Sequence, residues 1–488
     1  MAEWIIALLM MGGYLVFAFV LGMMAGKGRS FFSISEYAVA DRGLGLVVMW
    51  FLMGGTIFSA FAFLGGPAWA YSKGAAAFYI LAYTALGLLP WYLIGPRMAK
   101  LGAARGYFSM GDMLRDRYQS KALVVIVGIV SVLAFIQYLT LQIKGMAYIF
   151  NIMTADHIPF WVGALLSYGI VVIYVATSGV RGAAWSDVLQ GALMFVVAWS
   201  VGLYLVFTLH DGPGAMFAQI AADRPGFLEI GHEGSKMSQT AYSTAILVSV
   251  VGFIMWPHLF MKSYTANEKT IKLTVIAYPL FAIFLVPVLF IGFSAVGVIP
   301  PTALTTPDGI LPYLITNNLG ATGLLYGIIG AGALAAAQSS ADAITHGASV
   351  SFGRDVVYPL KPDLGDRVQI LIMRWAVVAI GAVSYYLAIW GAAGLVQLLL
   401  GAYGSIVQFA PCVYGAIWWR GARKEGAIAG LVVGVGVNFW YQLVQKGVTP
   451  FDINPGIMGL IANVIIFVAV SLMCQSRDEE HVRAFHRT

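Results

Sequence analysis

The chain alternates between long apolar segments and short polar segments over almost its whole length. Because a helix rises ~1.5 Å per residue, roughly 20 apolar residues cross the ~30 Å hydrocarbon core of a bilayer. The pattern therefore predicts an all-α polytopic membrane protein with about 13 spanning helices. The predicted spans begin near Trp4, Leu44, Ala75, Ala122, Ile158, Ala184, Ala241, Leu273, Gly320, Val368, Ala393, Ala427 and Ile457.

The composition agrees with a membrane protein. Hydrophobic residues make up 60% of the 488 positions and charged residues 10%, with a mean hydropathy of +0.83. A soluble domain carries about 25% charged residues, so a large soluble enzyme is excluded. The two cysteines, Cys412 and Cys474, lie in or beside apolar spans and predict no disulfide framework. The first apolar segment, residues 4–25, is too long for a signal-peptide core and is predicted to stay as a helix.

The basic residues are distributed unevenly between the two sides of the predicted membrane. If the N-terminus lies outside, all but five of the 28 Lys and Arg fall on the cytoplasmic side or at cytoplasmic helix ends. This bias predicts a multi-pass protein of the cell inner (plasma) membrane, with its N-terminus outside and its C-terminus in the cytoplasm. It also explains the pI of about 9.1 without a nucleic-acid partner. The five exceptions are Lys73, Lys144, Arg224, Lys236 and Lys446.

The segments between the predicted helices are mostly short. The longest outer segment, residues 210–240, is rich in glycine, and we expect it to hold a short interfacial helix. Residues 353–367 contain three Asp and two Pro and are predicted to form an inner loop. Residues 475–488 form a short charged tail.

The ninth predicted span carries the densest group of polar residues within an apolar segment. It contains Ser339, Ser340, Asp342, Thr345 and His346. Helical spacing places Ser339, Asp342 and His346 on one face. Serines alone often bond to their own helix backbone, but ionisable side chains are costly in hydrocarbon and usually mark a cavity, an ion path or a partner helix. The combination favours a site for a small polar or charged species.

Asp187 is the other acidic residue within a predicted span. Of the 22 Asp and Glu residues, only Asp187 and Asp342 fall inside the apolar segments. Two interpretations remain open for Asp187. It is a solvated acid at the start of a helix, where the positive end of the helix dipole favours it, or it lies on the inner path of an ion.

The second predicted span is interrupted by glycine and proline. It contains Gly54 and Gly55, followed by Gly65, Gly66 and Pro67. These residues weaken or kink a helix, and irregular backbone at membrane depth persists only where it lines a cavity or is buried in protein. Bare carbonyls at such a break suit Na⁺. The alternative is a glycine face that packs closely against a neighbouring helix.

The seventh and fourth predicted spans add further polar candidates. In span seven, Pro257 breaks the hydrogen-bond ladder beside Trp256 and His258, either as a simple kink with interfacial side chains or as part of a cavity. In span four, several polar residues either face a substrate cavity or bond to a neighbouring helix, and Lys144 reaches the outer surface or a substrate carboxylate. The substrate-cavity candidates are Thr56, Ser59, Gln137, Tyr138, Gln142, Trp256 and Asp342.

The sequence contains no pattern of enzyme chemistry. No spacing of Cys or His matches a metal centre, and no phosphate-binding loop is present. No set of nucleophile, base and acid is recognisable. We therefore predict that the chain is not an enzyme.

Five segments resemble the motifs of the sodium/solute symporter family, which includes proline, pantothenate, sugar, sialic-acid and monocarboxylate symporters. AAAQSSADAITHGAS, in span nine, resembles the signature helix of that family. Four segments before it resemble further family motifs in the matching order and extend the resemblance over nearly the whole core. These segments are SEYAVADRGLG, FSAFAFLGGPAWAYSKG, SGVRGAAWSDVLQGALM and WPHLFMKSYTANE.

The resemblance implies a fold of two five-helix inverted repeats, with alternating access by movement of one bundle against the other. The first repeat would cover residues 44–209 and the second residues 241–419. Residues 1–43 would hold an extra helix and an inner loop, and residues 210–240 the outer loop. Residues 420–488 would hold two further helices and the cytoplasmic tail.

The resemblance also implies a sodium site next to the broken helices. Five oxygens would form its shell, which suits a hard monovalent cation. Asp187 matches the family Asp on the inner path of the ion. The five ligands would be the side chains of Ser339 and Ser340 and the backbone carbonyls of Gly55, Phe58 and Ala336.

Two positions depart from the patterns of particular members. Some members hold a further sodium ion through hydroxyls one turn along the signature helix, where this chain has Asp342 and Ala343. A second sodium of that kind would need the Asp342 carboxylate as a substitute. Ile57 stands where the proline carriers have an Asp, which weakens a match to that branch.

These observations lead to one main hypothesis and two alternatives. We expect a sodium-coupled symporter of a small organic solute, with a short monocarboxylate favoured and an amino acid or a vitamin-like acid next, acting as a monomer in the bilayer. The first alternative is a proton-coupled symporter that uses Asp342 and His346, because histidine titrates near neutral pH. The second is a membrane nutrient sensor.

Overall fold

The structure is a computed structural model that describes residues 2–232, 235–304, 307–318, 322–391, 395–474 and 479–487. Within these ranges all regular structure is helical, which confirms the predicted all-α class. The predicted span starts near Gly320 and Ala393 lie outside the described residues. The helices that follow them begin at Gly323 and Leu395.

Within the described ranges, the first half of the chain forms ten α-helices and the second half fourteen. Those of the first half are α1 (Glu3–Ala25), α2 (Ile34–Val39), α3 (Leu46–Ile57), α4 (Gly66–Lys73), α5 (Tyr79–Gly87), α6 (Leu89–Arg105), α7 (Met110–Tyr118), α8 (Lys121–Met153), α9 (Phe160–His210) and α10 (Pro213–Asp223). Those of the second half are α11 (Gln239–Phe253), α12 (Pro257–Phe260), α13 (Glu268–Ala277), α14 (Pro279–Ala282), α15 (Leu285–Ser294), α16 (Ile310–Asn318), α17 (Gly323–Val350), α18 (Tyr358–Leu360), α19 (Asp366–Trp390), α20 (Leu395–Ile406), α21 (Ala410–Trp418), α22 (Lys424–Phe439), α23 (Pro455–Met473) and α24 (Glu479–Arg487).

Polar caps fix where several of these helices begin. The side chain of Ser120 accepts a hydrogen bond from the backbone of the first turn of α8, and Ser238 does the same for α11. Asn267 caps α13. Such caps satisfy backbone donors that have no partner inside the helix, so they set helix boundaries that hydropathy alone leaves open.

The number of membrane spans differs from the prediction. In the described ranges, ten helices are long and apolar enough to cross a membrane, or up to twelve if each of two bent pairs is one span. The predicted count of thirteen is therefore not confirmed. Part of the difference lies in α9, which has 51 residues and counts as one helix although Gly179 interrupts it with φ 58° and ψ −147°. A Cβ at Gly179 would lie 2.5 Å from the carbonyl oxygen of Tyr37, so only glycine fits.

The signature helix α17 lies at the centre of the bundle. Every residue from 329 to 350 is buried, and α17 packs against α1, α8 and α9. Its small residues allow this close approach: a Cβ at Gly332 would lie 2.6 Å from Val197, and one at Gly347 would lie 2.4 Å from His258. The large apolar side chains that face outward lie on peripheral helices such as α19, where Trp375 and Trp390 are exposed.

One of two predicted loop segments is confirmed and the other is wrong in part. The segment 210–240 contains the short helix α10, as expected. The predicted inner loop 353–367 is wrong in its first part, because residues 351–357 continue α17 as a wider helical turn that leads into α18. The loop was predicted because charged residues are usually exposed, but Arg354 and Asp355 are buried. Arg354 donates a hydrogen bond to Asp112, and Asp355 accepts one from Ser109 at the start of α7. Polar residues with buried partners do not form a solvated loop.

Candidate functional site

The break in the second span frees a run of backbone carbonyls. The backbone leaves helical geometry at Phe58, with φ −81° and ψ 79°. The N–H of Ser59 then bonds to Ile57 rather than to Gly55, and the N–H of Ala60 bonds to Gln142 Oε1 at 2.9 Å rather than to Thr56. The carbonyls of Gly55 and Thr56 therefore lack their usual helical donors. The break lies between the two predicted glycine groups, because Pro67 sits in the first turn of α4, where no N–H is needed.

The serines of α17 donate hydrogen bonds to these freed carbonyls. Ser339 Oγ donates to the carbonyl of Gly55 at 2.9 Å and to that of Ala336 at 3.0 Å. Ser340 Oγ donates to the carbonyl of Thr56 at 2.6 Å. The structure thus brings four of the five predicted sodium ligands together, and adds the carbonyl of Thr56 to the group. All of these residues are buried.

Phe58, the fifth predicted ligand, lies at the break itself. The N–H of Ala62, its helical donor, bonds to the carbonyl of Ser59 instead. The Phe58 carbonyl therefore lacks its usual helical donor, as the Gly55 carbonyl does. Hydroxyl and carbonyl oxygens at a helix break match the chemistry that Na⁺ requires.

Three ionisable side chains border this group of oxygens. Asp187 is fully buried, and a Cβ on Gly55 would lie 3.5 Å from its Oδ1. The interpretation of Asp187 as a solvated acid is therefore wrong. Lys262 donates to the carbonyl of Leu52 at 2.8 Å and to Thr56 Oγ1 at 2.6 Å. Asp342, also fully buried, is the third ionisable residue.

Lys262 is a buried ionisable residue beside the helix break that the sequence alone did not predict there. Its place in WPHLFMKSYTANE, five residues after Pro257, assigned it to a cytoplasmic helix end. In the structure it lies in the turn after α12 and is 2% exposed. Pro257 was the sequence signal for this position, because a helix break there bends the chain: α11 and the segment that begins with α12 meet at 48°.

Asp342 faces α9 rather than the substrate-cavity candidates. Its Oδ2 accepts hydrogen bonds from Tyr174 at 2.8 Å and from Ser186 at 3.2 Å. His346, four residues later, uses Nε2 to donate to the carbonyl of Tyr37 at 2.8 Å. Asp342 and His346 thus have separate partners, and no hydrogen bond joins them among the described residues. The side chain of Thr56 accepts a hydrogen bond from Lys262. Among the substrate-cavity candidates, Thr56 and Asp342 therefore have other side-chain partners than the aromatic residues described below.

A cluster of aromatic side chains lies near the break. The ring of Trp256 lies 4.9 Å from that of Tyr138 and 5.5 Å from that of Tyr403. Both Trp256 and Tyr138 were predicted to line a substrate cavity, and both are buried. Ser59, a third candidate, is fully buried beside them and accepts a hydrogen bond from the N–H of Phe61 at 3.1 Å.

Two buried donors in this region have no hydrogen-bond partner among the described residues. They are Trp256 Nε1 and Gln142 Nε2. Gln142 follows Tyr138 by one helical turn, so both side chains lie on the same face of α8. Gln137 Oε1 is also buried without a described partner. Lys144 donates to the carbonyl of Gly391 at 3.1 Å, so it is held at the end of α19.

The sequence model of the sodium:solute symporter family matches residues 37–434, which is most of the chain. The chain belongs to the sodium:solute symporter family. The matched region of this symporter contains α3, α9, the turn after α12 and α17, and hence every residue of the ion group. Family membership makes Na⁺ the coupling ion and a small organic solute the partner, and it places the symporter in a membrane.

The symporter is similar to several curated relatives along almost its whole length. It is 32% identical to the uncharacterized symporter YhjB of Bacillus subtilis, over 96% of this chain and 97% of that protein. It is 27% identical to the sodium/pantothenate symporter of Escherichia coli, over 93% and 94%. It is 24% identical to a monocarboxylate transport permease of Rhizobium johnstonii, over 95% and 96%.

A solved structure confirms the fold. The symporter superimposes on a Na⁺-coupled sialic acid symporter, in a substrate-bound outward-open state, with a TM-score of 0.80. The two chains are 20% identical, and the match covers 96% of this chain and 98% of that one. The relatives and this neighbour are transporters rather than enzymes.

Proposed function

We propose that this sodium-coupled symporter imports a short monocarboxylate across the cell membrane. The observation that carries this substrate class is the pair of buried donors, Trp256 Nε1 and Gln142 Nε2, without described partners in an aromatic surround. A buried donor without a partner costs about 1–3 kcal/mol. A carboxylate oxygen accepts such hydrogen bonds, and the aromatic rings around the donors suit the short apolar part of a monocarboxylate.

A basic vestibule supports an anionic solute. A surface cavity beside the end of α4 has a volume of ≈ 590 Å³. Its lining includes Tyr71, Phe227, Arg224 and Lys236. Arg224 lies over the ring of Phe227 at 5.4 Å, and neither cation has an ion-pair partner in the described part of the chain. Clefts of one charge raise the local concentration of the opposite ion.

We further propose the orientation, the oligomeric state and the repeat boundaries. The cytoplasmic end is the one that carries Arg105, Arg117 and Arg354, because basic residues concentrate on that side. A monomer suffices, because a single chain supplies all residues of the ion group. Repeats over residues 44–209 and 241–419 are supported by their beginnings, each of which contains a broken helix.

The test is solute uptake into proteoliposomes that contain the purified protein. We expect labelled pyruvate to accumulate under an inward sodium gradient but not when choline replaces sodium, and proline and pantothenate to compete weakly. Uptake that follows an imposed pH gradient without sodium would contradict sodium coupling. Sodium-driven uptake of proline or pantothenate but not pyruvate would contradict the substrate class alone.

A conservative variant tests the donor directly. Trp256→Phe keeps an aromatic ring and removes the N–H together with the five-membered ring of the indole, a truncation that the control below shares. Hydrogen bonds to charged groups contribute about 1.5–3 kcal/mol, so KM for pyruvate is expected to rise about 10-fold or more. Trp199→Phe is the matched control, because Trp199 Nε1 is also buried without a described partner but lies away from the cluster, beside Phe195. An equal effect of the two substitutions would refute the proposed role.

A further inference from the structure

A surface cavity of ≈ 470 Å³ lies where residues of α6, α13 and the C-terminal helix α24 come together. Its lining contains four basic side chains and a single acidic one. The charged lining residues are Arg97 and Lys100 of α6, Glu268 and Lys272 of α13, and Arg487 of α24. A concave site with such an excess of positive charge attracts anionic ligands.

The protein itself does not neutralise this positive charge. In the described part of the chain, none of the four basic side chains forms an ion pair or a side-chain hydrogen bond, and Glu268 forms no ion pair. Both ring nitrogens of His486, which also lines the cavity, are buried without a described partner. Burial lowers the pKa of His486 and three arginines lower it further, which indicates a surplus of positive charge. These arginines are Arg117, Arg97 and Arg420.

The cavity lies at the edge of the apolar, outward-facing surface of two membrane-spanning segments. The segments that contain α6 and α13 are both long and apolar enough to cross a membrane, and the two helices pack against each other. On α6, the exposed Leu93 precedes Arg97 by one helical turn, and on α13 the exposed Ile276 follows Lys272 by one turn. Both helices thus change from apolar to basic at the cavity, as expected where the hydrocarbon of a bilayer meets the headgroups.

We propose that this cavity binds the phosphate group of an anionic phospholipid from the adjacent leaflet. Its oxygens accept hydrogen bonds from Arg97, Lys272 and Arg487, and its acyl chains lie along Leu93 and Ile276. Basic pockets between membrane-spanning helices bind such headgroups, and a phosphate takes several charge-assisted hydrogen bonds at once. A free phosphate ion offers the same oxygens but makes no use of the apolar surface next to the cavity. The bound lipid ties α24 to α6 and α13.

The experiment titrates the purified full-length protein in detergent with phosphatidylglycerol and measures bound lipid by native mass spectrometry. The wild type is expected to bind phosphatidylglycerol about 10-fold or more tightly than phosphatidylcholine with the same chains. Each basic residue near an anionic lipid contributes about fivefold, so Arg97→Gln combined with Lys272→Gln is expected to weaken binding about 25-fold. The control combines Lys121→Gln with Lys361→Gln, which removes two charges from exposed positions outside the cavity lining. It is expected to bind lipid as the wild type does.

A single variant protects the test against misfolding. Arg487→Gln changes an exposed residue of the C-terminal helix and is expected to weaken phosphatidylglycerol binding about fivefold at an unchanged melting temperature in lipid-free detergent. The proposal is overturned if Arg487→Gln binds as the wild type does, if the two lipids bind equally, or if the control loses as much affinity as the cavity variant. Inorganic phosphate that stabilises the wild type against heat as much as phosphatidylglycerol does would also overturn it, in favour of a free-phosphate site. None of these measurements uses sodium or solute, so their outcome is independent of the proposed transport.

Discussion

Ser340→Ala removes one hydroxyl from the centre of the proposed sodium group. In the structure Ser340 Oγ donates to the carbonyl of Thr56 at 2.6 Å, and that carbonyl has lost its helical donor because Ala60 bonds to Gln142. The substitution therefore has two effects. It leaves the Thr56 carbonyl without a donor in the ion-free protein, and it removes one of five oxygen ligands from the ion-bound protein.

The magnitude follows from the type of interaction lost. A hydroxyl oxygen bonded to a charged group contributes about 1.5–3 kcal/mol. Each ~1.4 kcal/mol is a tenfold change in Kd, so sodium is expected to bind roughly 10- to 100-fold more weakly. The orphaned carbonyl of Thr56 costs about 1–3 kcal/mol of stability, which lowers the melting temperature of the ion-free protein.

The assay is a sodium titration of the purified variant, followed by tryptophan fluorescence and by sodium-dependent thermal stabilisation. Ser131→Ala is the control, because Ser131 is equally buried and its hydroxyl donates only to Val127 within α8, at 2.7 Å. The control is expected to bind sodium as the wild type does. A Kd for Ser340→Ala within about twofold of the control would refute the assignment of Ser340 as a ligand.

Two further predictions concern the frame around the site. Arg354→Gln breaks a buried ion pair with Asp112, whose atoms are 2.8 Å apart, and leaves Asp112, among the described residues, with only the longer pair to Arg115 at 3.4 Å. The loss of one charge-assisted hydrogen bond is expected to cost about 1.5–3 kcal/mol; an unchanged melting temperature would contradict this. Gly54→Ala places a Cβ 2.3 Å from the ring of Phe281 and is expected to cost about 1–3 kcal/mol by overpacking. Gly12→Ala, where no atom lies within 4 Å, is the control; equal melting temperatures for the two variants would count against the close packing of α3.

Hydropathy and motif order were sufficient to predict the helical class and the elements that meet at the site. The pairing of Ser339 with Gly55 joins residues 284 positions apart in the chain, and it was predictable only through the family resemblance. The location of the break was not predictable. Glycine pairs mark where a helix is weak, but the side chain of Gln142, on another helix, captures the N–H of Ala60 and so fixes the break.

Charge was the property that the sequence described least well. Lys262, Arg354 and Asp355 read as solvent-facing residues, because most Lys, Arg and Asp are exposed. In the structure each is buried, and only distant residues explain it: Leu52 and Thr56 for Lys262, and Asp112 and Ser109 for the other two. A partner far away in the chain leaves no local trace in hydrophobic periodicity. The hydrogen-bond partners of Asp342 could not be predicted for the same reason, because Tyr174 and Ser186 lie on α9, far away in the chain.

The most direct test of the account measures ²²Na⁺ and labelled pyruvate fluxes together in proteoliposomes. We predict that pyruvate accelerates ²²Na⁺ uptake in the wild type and in Ser131→Ala, and that the double variant Ser339→Ala, Ser340→Ala loses this coupling. If the double variant retains full sodium-dependent uptake, the proposed sodium site is wrong. If no tested solute accelerates ²²Na⁺ uptake by the wild type, the proposed symport itself is contradicted.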